Sequence, residues 1–143
     1  MSESRIPMEV RARVRARAGD RCGYCRSPQH LVLGPLEIDH LTPRSASGSD
    51  AERNLWLACR MCNNFKAAQT EAIDPRTGRT TRLFNPRRQS WTSHFSWNNV
   101  GTQILGKTPC GRATVLAMQL NNVIAVLVRE QWVAAGWHPP VDE

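Results

Sequence analysis

The chain has 143 residues, of which 41% are hydrophobic, and this suits one domain with a modest core that a bound metal would support. The formal net charge is +7, and almost all of the excess is arginine because Lys66 and Lys107 are the only lysines. This charge indicates either a polyanionic partner such as nucleic acid or simply a soluble basic surface. No window approaches the ~20 apolar residues of a membrane span. The N-terminus also lacks the apolar core of a signal peptide, so we expect a cytoplasmic protein without a membrane partner.

The first predicted element is a helix over residues 8–18. Val10, Val14 and Ala18 repeat every four residues, which fits one helix face, although the strict alternation with arginine also fits a strand. Alanine and arginine favour the helix, and Gly19 stands where a helix C-cap belongs. Its arginines either contact phosphate or form a solvated face.

The middle of the chain predicts short strands and one helix around polar turns. We expect a tight turn at 22–25, extended pieces over 31–41, a polar loop over 43–53 and a short strand over 54–59. A helix is then predicted over 62–73, ended by the sequence DPRTG.

Residues 71–143 are expected to form an extension that packs on the preceding core within a single domain, 1–143. We predict strands over 91–97 and 101–106, the first with Trp91 and Trp97 on one face. Thr108 is a plausible N-cap for the first of two helices, which the pair Asn121–Asn122 separates.

Four of the five cysteines form two CxxC pairs, Cys22 with Cys25 and Cys59 with Cys62. Each pair can place two thiolates on one ion, and together they complete a tetrahedral zinc site of the closed, structural kind. The alternative is four unrelated buried cysteines. Cys110 is left over and is interpreted as a small core residue.

The segments "RCGYC", "EIDHLTPRS" and "NLWLACRMCNNFK" follow one another in an order and spacing that resembles the HNH endonuclease family, the ββα-metal nucleases. The matching stretch covers about residues 17–70. The resemblance implies an α+β fold with a treble-clef-like ββα-metal core around a structural zinc. Around this core we predict an N-terminal helix and a C-terminal extension of short strands and two helices.

The resemblance also implies roles for individual residues. His40 matches the general base, Asp39 the metal-binding carboxylate, and Asn54 the central asparagine that braces the loop and orients the base. Asn63 stands at the third family position, giving a His–Asn–Asn pattern. An amide oxygen there suits Mg²⁺ or Mn²⁺ better than Zn²⁺ as the catalytic ion.

The activity implied is hydrolysis of DNA, expected to be double-stranded, to 5′-phosphate and 3′-hydroxyl ends by a monomer or homodimer. The predicted nucleic-acid contacts are Lys66, Arg44, Arg82, Arg87, Arg88 and His94, although a solvated lysine and a structural histidine are the alternatives for Lys66 and His94. Two other functions remain open. One is a non-catalytic zinc module that binds nucleic acid, and the other is a protein-binding zinc domain, which predicts a large exposed apolar patch.

Overall fold

The computed structural model describes residues 6–140 as an α+β fold with five α-helices and three two-stranded antiparallel sheets among these residues. The predicted fold class is thereby confirmed. The chain divides into two compact units, the first comprising residues up to 70 together with 85–88, and the second comprising 71–84 and the residues from 89 onward. In the part of the chain described, no helix has the length and apolar character needed to cross a membrane.

The first unit contains two helices and one hairpin. Helix α1 spans Met8–Arg17, strands β1 and β2 span Glu37–His40 and Leu55–Ala58, and helix α2 spans Arg60–Lys66. The strands pair antiparallel, with Glu37 opposite Ala58 and His40 opposite Leu55. The consecutive β1, β2 and α2 are the ββα element that the sequence predicted.

Helix α1 covers one side of this hairpin. Its apolar residues Val14 and Ala18 are buried, and α1 packs against β2, whose four residues are all buried. The helix ends where expected, because Gly19 has φ of +66°, a left-handed conformation that glycine adopts at no steric cost. The repeat of apolar residues every four positions therefore reflects a true helix face.

The second unit is built from four short strands and three helices. In chain order these are β3 (Glu71–Ile73), β4 (Thr80–Arg82), α3 (Trp91–His94), β5 (Phe95–Trp97), β6 (Ile104–Gly106), α4 (Pro109–Ala117) and α5 (Val123–Ala134). Thr108 caps α4 by accepting a hydrogen bond from the Gly111 amide, as predicted. Asn122 caps α5 through the Ala125 amide.

The prediction of one helix over 62–73 is wrong beyond Lys66. Ala67 has φ of +48°, which ends α2, and residues 71–73 form β3, paired with β4. The turn between these strands favours the β3–β4 hairpin over a longer helix. The Asp74 carboxylate accepts hydrogen bonds from the Arg76 amide and the Thr77 hydroxyl, and an aspartate used in this way stabilises a turn rather than a helix.

The predicted strand over 91–97 is also wrong in its first half, since Trp91–His94 is helical, and the extension therefore has three helices. Helical spacing brings Trp91 within 5.2 Å of Phe95, measured between ring centroids. Phe84 lies 5.0 Å from Phe95 in an edge-to-face arrangement. Burial of this aromatic cluster outweighs the alternating pattern that favoured a strand.

A partly buried ion pair links the β3–β4 turn to α4. Arg112 donates from Nε and a terminal nitrogen to the two oxygens of Asp74, at 2.9 and 3.0 Å. These bonds, helped by Thr77 and the Arg76 amide, hold the pKa of the fully buried Asp74 carboxyl well below its usual range. A lowered pKa in the folded protein means that the folded state is more stable when this carboxyl is ionised than when it is protonated.

We expect Asp74→Asn to lower the melting temperature at neutral pH, because it removes the charge from a bidentate pair and leaves Arg112 uncompensated. This contribution is present above the unfolded pKa of about 4 and is lost as the pH falls toward the lower pKa of the folded state. Thermal unfolding of wild type and Asp74→Asn should therefore show a difference in melting temperature that shrinks from neutral pH to about pH 2.

Asp20→Asn is the matched control, because Asp20 is exposed and lies 3.8 Å from Arg15 in a surface pair. It should change the melting temperature little at any pH. A pH-independent effect of Asp74→Asn would contradict the assignment of a charge-dependent role to this pair.

Candidate metal centre and active site

The four cysteines of the two CxxC pairs converge in the first unit. All are buried, and their sulfur atoms lie within 4.8 Å of one another. The Sγ atoms of Cys25 and Cys59 are 3.8 Å apart. Zinc bonded to four sulfurs at about 2.3 Å in a tetrahedron would place the sulfurs about 3.8 Å from one another, so the cluster has the dimensions of a zinc site.

The first cysteine pair lies in a turn shaped by backbone hydrogen bonds. The Cys22 amide donates to the Ser27 carbonyl at 3.0 Å, and the Gly23 amide donates to Leu57 of β2 at 2.9 Å. A side chain at Gly23 would collide with the Trp56 ring. Glycine is therefore required here because the turn lies directly against β2.

The second pair begins α2. Cys59 is the N-cap of the helix, and its sulfur accepts a hydrogen bond from the Cys62 amide at 3.4 Å. A thiolate at this position satisfies one of the free amides of the first turn. A metal held by Cys59 and Cys62 would therefore also fix the start of the helix that carries Asn63 and Lys66.

The electrostatics of the cluster favour a bound cation. Burial raises the pKa of the Cys22 thiol, whereas hydrogen bonds, first of all from Cys22, lower the pKa of Cys25. Without a positive ion, four buried thiols cannot all ionise in so small a space. A divalent ion would offset this repulsion, and all-sulfur tetrahedral coordination suits zinc.

Asp39 and His40 point to opposite sides of β1, as neighbours on a strand do. Asp39 faces inward and is only 2% exposed. Its Oδ2 accepts a hydrogen bond from the Tyr24 hydroxyl, and Lys66 Nζ lies 3.2 Å from Oδ1. Burial and the Asp39 charge both raise the pKa of Tyr24, so this hydroxyl keeps its proton and donates.

Lys66, predicted to contact phosphate, is instead buried and only 3% exposed. Its ammonium group pairs with Asp39 and donates to the His40 carbonyl at 3.0 Å. The position of Lys66 one turn after Asn63 on α2 explains this, because that face of the helix packs on β1. The lysine thus joins helix to strand.

The predicted ligands of a catalytic ion, Asp39 and Asn63, lie on facing elements, but they do not offer an open site as they stand. Both oxygens of Asp39 are engaged, and one already has a cationic partner. The Asn63 amide donates to the Glu37 carboxylate at 3.0 Å, which directs its nitrogen toward that group. The donors are oxygen-rich and suit Mg²⁺ or Mn²⁺ chemically, but Lys66 lies on the Asp39 oxygen that a directly bound ion would use.

His40 lies on the opposite side of β1 and contacts Asp50. His40 Nε2 is 2.8 Å from Asp50 Oδ1, and Arg44 donates to the same carboxylate oxygen. These bonds, with that to His40 the strongest, lower the pKa of Asp50. An ionised carboxylate can only accept, so in the neutral form of the ring Nε2 of His40 carries the hydrogen and Nδ1 keeps the lone pair.

Asn54 holds the loop that begins after His40. Its side-chain oxygen accepts from the Thr42 amide at 2.8 Å, and its nitrogen donates to the carbonyls of Thr42 and Ser49 at 3.0 and 2.8 Å. The Leu41 amide also donates to the Asn54 carbonyl. These bonds connect the two ends of the loop between β1 and β2, and the same loop contains Asp50, which contacts His40.

The other predicted nucleic-acid contacts differ in exposure. Arg82 and Arg88 are exposed. Arg87 is half-buried, donates to the Leu55 carbonyl at 3.1 and 3.2 Å, and lies over the Trp56 ring. His94 is held by Thr108 at 2.6 Å and lies 3.3 Å from Gln89, and burial lowers its pKa. Arg87 and His94 therefore have structural partners, whereas Arg82 and Arg88 present their charge to solvent.

Sequence reasoning did not identify three residues of this site. Tyr24 lies inside the first CxxC turn and reaches Asp39, Glu37 contacts Asn63, and Asp50 contacts His40. Only Glu37 had a signal in the sequence, since it lies two positions before Asp39 and therefore on the same face of a strand.

For the cysteine cluster we expect about one zinc per chain by elemental analysis. Cys59→Ser should lose both the zinc and cooperative unfolding, because structural zinc binding is worth on the order of 10 kcal/mol in small domains. Cys110→Ser is the matched control, since Cys110 lies in the second unit and should not affect zinc content. A wild-type protein that is folded without metal would refute a structural zinc.

Comparison with known proteins gave one match. Residues 22–69, less than half of the chain, match the family model for HNH endonuclease. Neither the search of curated proteins nor that of solved structures found a significant match. The matched residues contain the ββα element and the buried four-cysteine cluster, which fits the zinc-binding type of this family. Residues 22–69 of the chain are therefore similar in sequence to the HNH endonuclease family.

Proposed function

We propose that this protein is an endonuclease that hydrolyses DNA phosphodiester bonds, with His40 as the general base. The contact between His40 and Asp50, within the HNH-matched residues, is the observation that carries the proposal. It orients the imidazole and leaves Nδ1 as a proton acceptor. A module that only binds nucleic acid has no need of an oriented base.

The chemistry requires a water molecule, a base for its proton, and positive charge near the phosphate oxygens. Neutral imidazole is suited to take that proton near pH 7. His40 is partly accessible, with 13% of its side chain exposed, so water and a phosphate group can approach it. Arg44, which contacts Asp50, is exposed beside it and can favour an incoming phosphate.

The basic character of the chain supports nucleic acid as the substrate, since exposed arginines such as Arg82 and Arg88 bind phosphate well. Double-stranded DNA, Mg²⁺ or Mn²⁺ as activating ions, and 5′-phosphate and 3′-hydroxyl products follow from the family resemblance. They are the conditions and products that we expect in a cleavage assay.

The protein-binding alternative predicted an exposed apolar patch. Trp91 is buried, but α5 exposes Val123, Ile124 and Leu127, which are 83%, 60% and 55% exposed. This face lies in the second unit, outside the HNH-matched residues. It is therefore compatible with a nuclease and does not compete with the chemistry at His40.

For activity we expect wild-type protein to nick or cleave plasmid DNA with Mg²⁺ or Mn²⁺. His40→Ala should lower the rate by roughly 10²–10⁴, the usual contribution of a general base. Asp50→Asn should give a smaller loss, because it keeps the base but removes the anion that selects its tautomer. Gel analysis of the plasmid and end-labelling of the products measure both effects.

The control is His30→Ala, an exposed histidine within the same matched residues, which should cleave like wild type. If wild type and His40→Ala bind DNA but are equally inactive with every divalent ion, the chain is the alternative, a non-catalytic zinc-containing nucleic-acid-binding module.

For binding we expect Arg82→Ala combined with Arg88→Ala to weaken affinity for duplex DNA. If each arginine neutralises one phosphate, the slope of log K against log salt should become shallower by roughly 0.9 per contact. Fluorescence anisotropy across a salt series measures this slope. Arg87→Ala should instead lower the melting temperature, because it removes the bonds to Leu55; an unchanged slope in the double variant would place the DNA elsewhere.

A further inference from the structure

We propose that Lys66 is a built-in counter-cation for Asp39, which a divalent ion must displace before Asp39 can bind it. The inference rests on the proposed function only in assuming that a divalent ion acts at this site. It assigns Lys66 a role in controlling metal access, in place of the phosphate contact that its position in the sequence suggested.

The Asp39–Lys66 pair lies deep in the protein. Asp39 and Lys66 are 2% and 3% exposed, so water screens their charges poorly. Their 3.2 Å separation is the distance of a direct ion pair. An isolated carboxylate at this depth would be costly, and Lys66 compensates its charge.

Lys66 and a divalent ion would compete for one oxygen of Asp39. The Tyr24 hydroxyl already donates to Oδ2 of Asp39, so Oδ1 is the oxygen on which Lys66 lies. An ammonium group and a divalent cation cannot both approach that oxygen closely, because like charges repel strongly where solvent is excluded. Binding of the ion to Asp39 therefore requires Lys66 to move.

Lys66 can move, and other oxygen ligands for a divalent ion lie near Asp39. A lysine has a flexible four-carbon stem and three equivalent donors, of which the His40 carbonyl takes one. Glu37 lies on the same face of β1 as Asp39, and its carboxylate contacts Asn63. This face therefore carries two carboxylates and an amide oxygen, which is more negative charge than one ammonium group balances.

The test measures Mn²⁺ binding to zinc-loaded protein without nucleic acid, by calorimetry and by the electron paramagnetic resonance signal of free Mn²⁺. Lys66→Met should bind Mn²⁺ about tenfold or more tightly than wild type, since about tenfold in affinity is the scale of one nearby like charge. Lys66→Arg keeps the charge and should remain close to wild type. Lys107→Met removes the other lysine of the chain and serves as the matched control, with unchanged affinity.

A further variant identifies the site. Adding Asp39→Asn to Lys66→Met should abolish the gain in affinity, because the oxygen in question then carries no charge. Lys66→Gln is a second neutral variant whose amide can still donate to the His40 carbonyl, and it should give the same gain if Lys66→Met fails to fold. Zinc content and near-ultraviolet circular dichroism establish folding in each case.

Equal Mn²⁺ affinity in wild type and in a folded neutral variant would overturn the proposal, as would a gain that survives Asp39→Asn. Both outcomes are independent of cleavage. A protein that never cuts DNA can still show the displacement of Lys66, and an active nuclease can lack it, so failure here is distinguishable from failure of the proposed function.

Discussion

The convergence of four buried thiols is the constraint on which the first unit depends. It ties the turn containing Cys22 and Cys25 to the start of α2, and the hairpin of β1 and β2 lies between these two points in the chain. Such a small unit has little apolar surface to bury, so a metal on these sulfurs would supply much of its stability. It would also determine where α2 begins and hence which residues of the helix meet β1.

Strand β1 places two adjacent residues in opposite environments. Asp39 is turned into the protein, where Tyr24 and Lys66 surround it, and His40 is turned toward a partly open surface beside Asp50. One peptide unit thus separates a buried charge that needs compensation from an imidazole that stays partly accessible. The alternation of side chains along a strand makes this possible without any special backbone geometry.

The features predicted well from sequence are those set by local spacing. The two CxxC pairs, the end of α1 at Gly19, the cap Thr108 and the break between helices at Asn121–Asn122 each depend on residues a few positions apart. The contacts of Lys66 and Asp50 were not predictable, because each depends on how a distant segment packs. Lys66 became a partner of Asp39 only through the packing of α2 on β1, and Asp50 reached His40 through a loop held by Asn54.

The errors in secondary structure arose where specific side-chain contacts opposed the apolar and polar pattern. The apolar and polar pattern of residues 62–73 resembles one helix, but the hydrogen bonds of the Asp74 turn, 38 positions before its partner Arg112, favour a hairpin. The alternation in 91–97 favours a strand, but burial of Trp91 against Phe95 favours a turn of helix. In both cases these side-chain contacts outweighed the apolar and polar pattern.

The burial of Lys66 has a consequence for the chemistry of the surface. Lys107 is the other lysine, so the exposed positive charge of the described residues is carried almost entirely by guanidinium groups. Guanidinium keeps its proton up to about pH 12 and is not a substrate for the acetylation that neutralises lysine. The surface charge is therefore nearly permanent, and ionic strength remains the one common cellular variable that alters its reach.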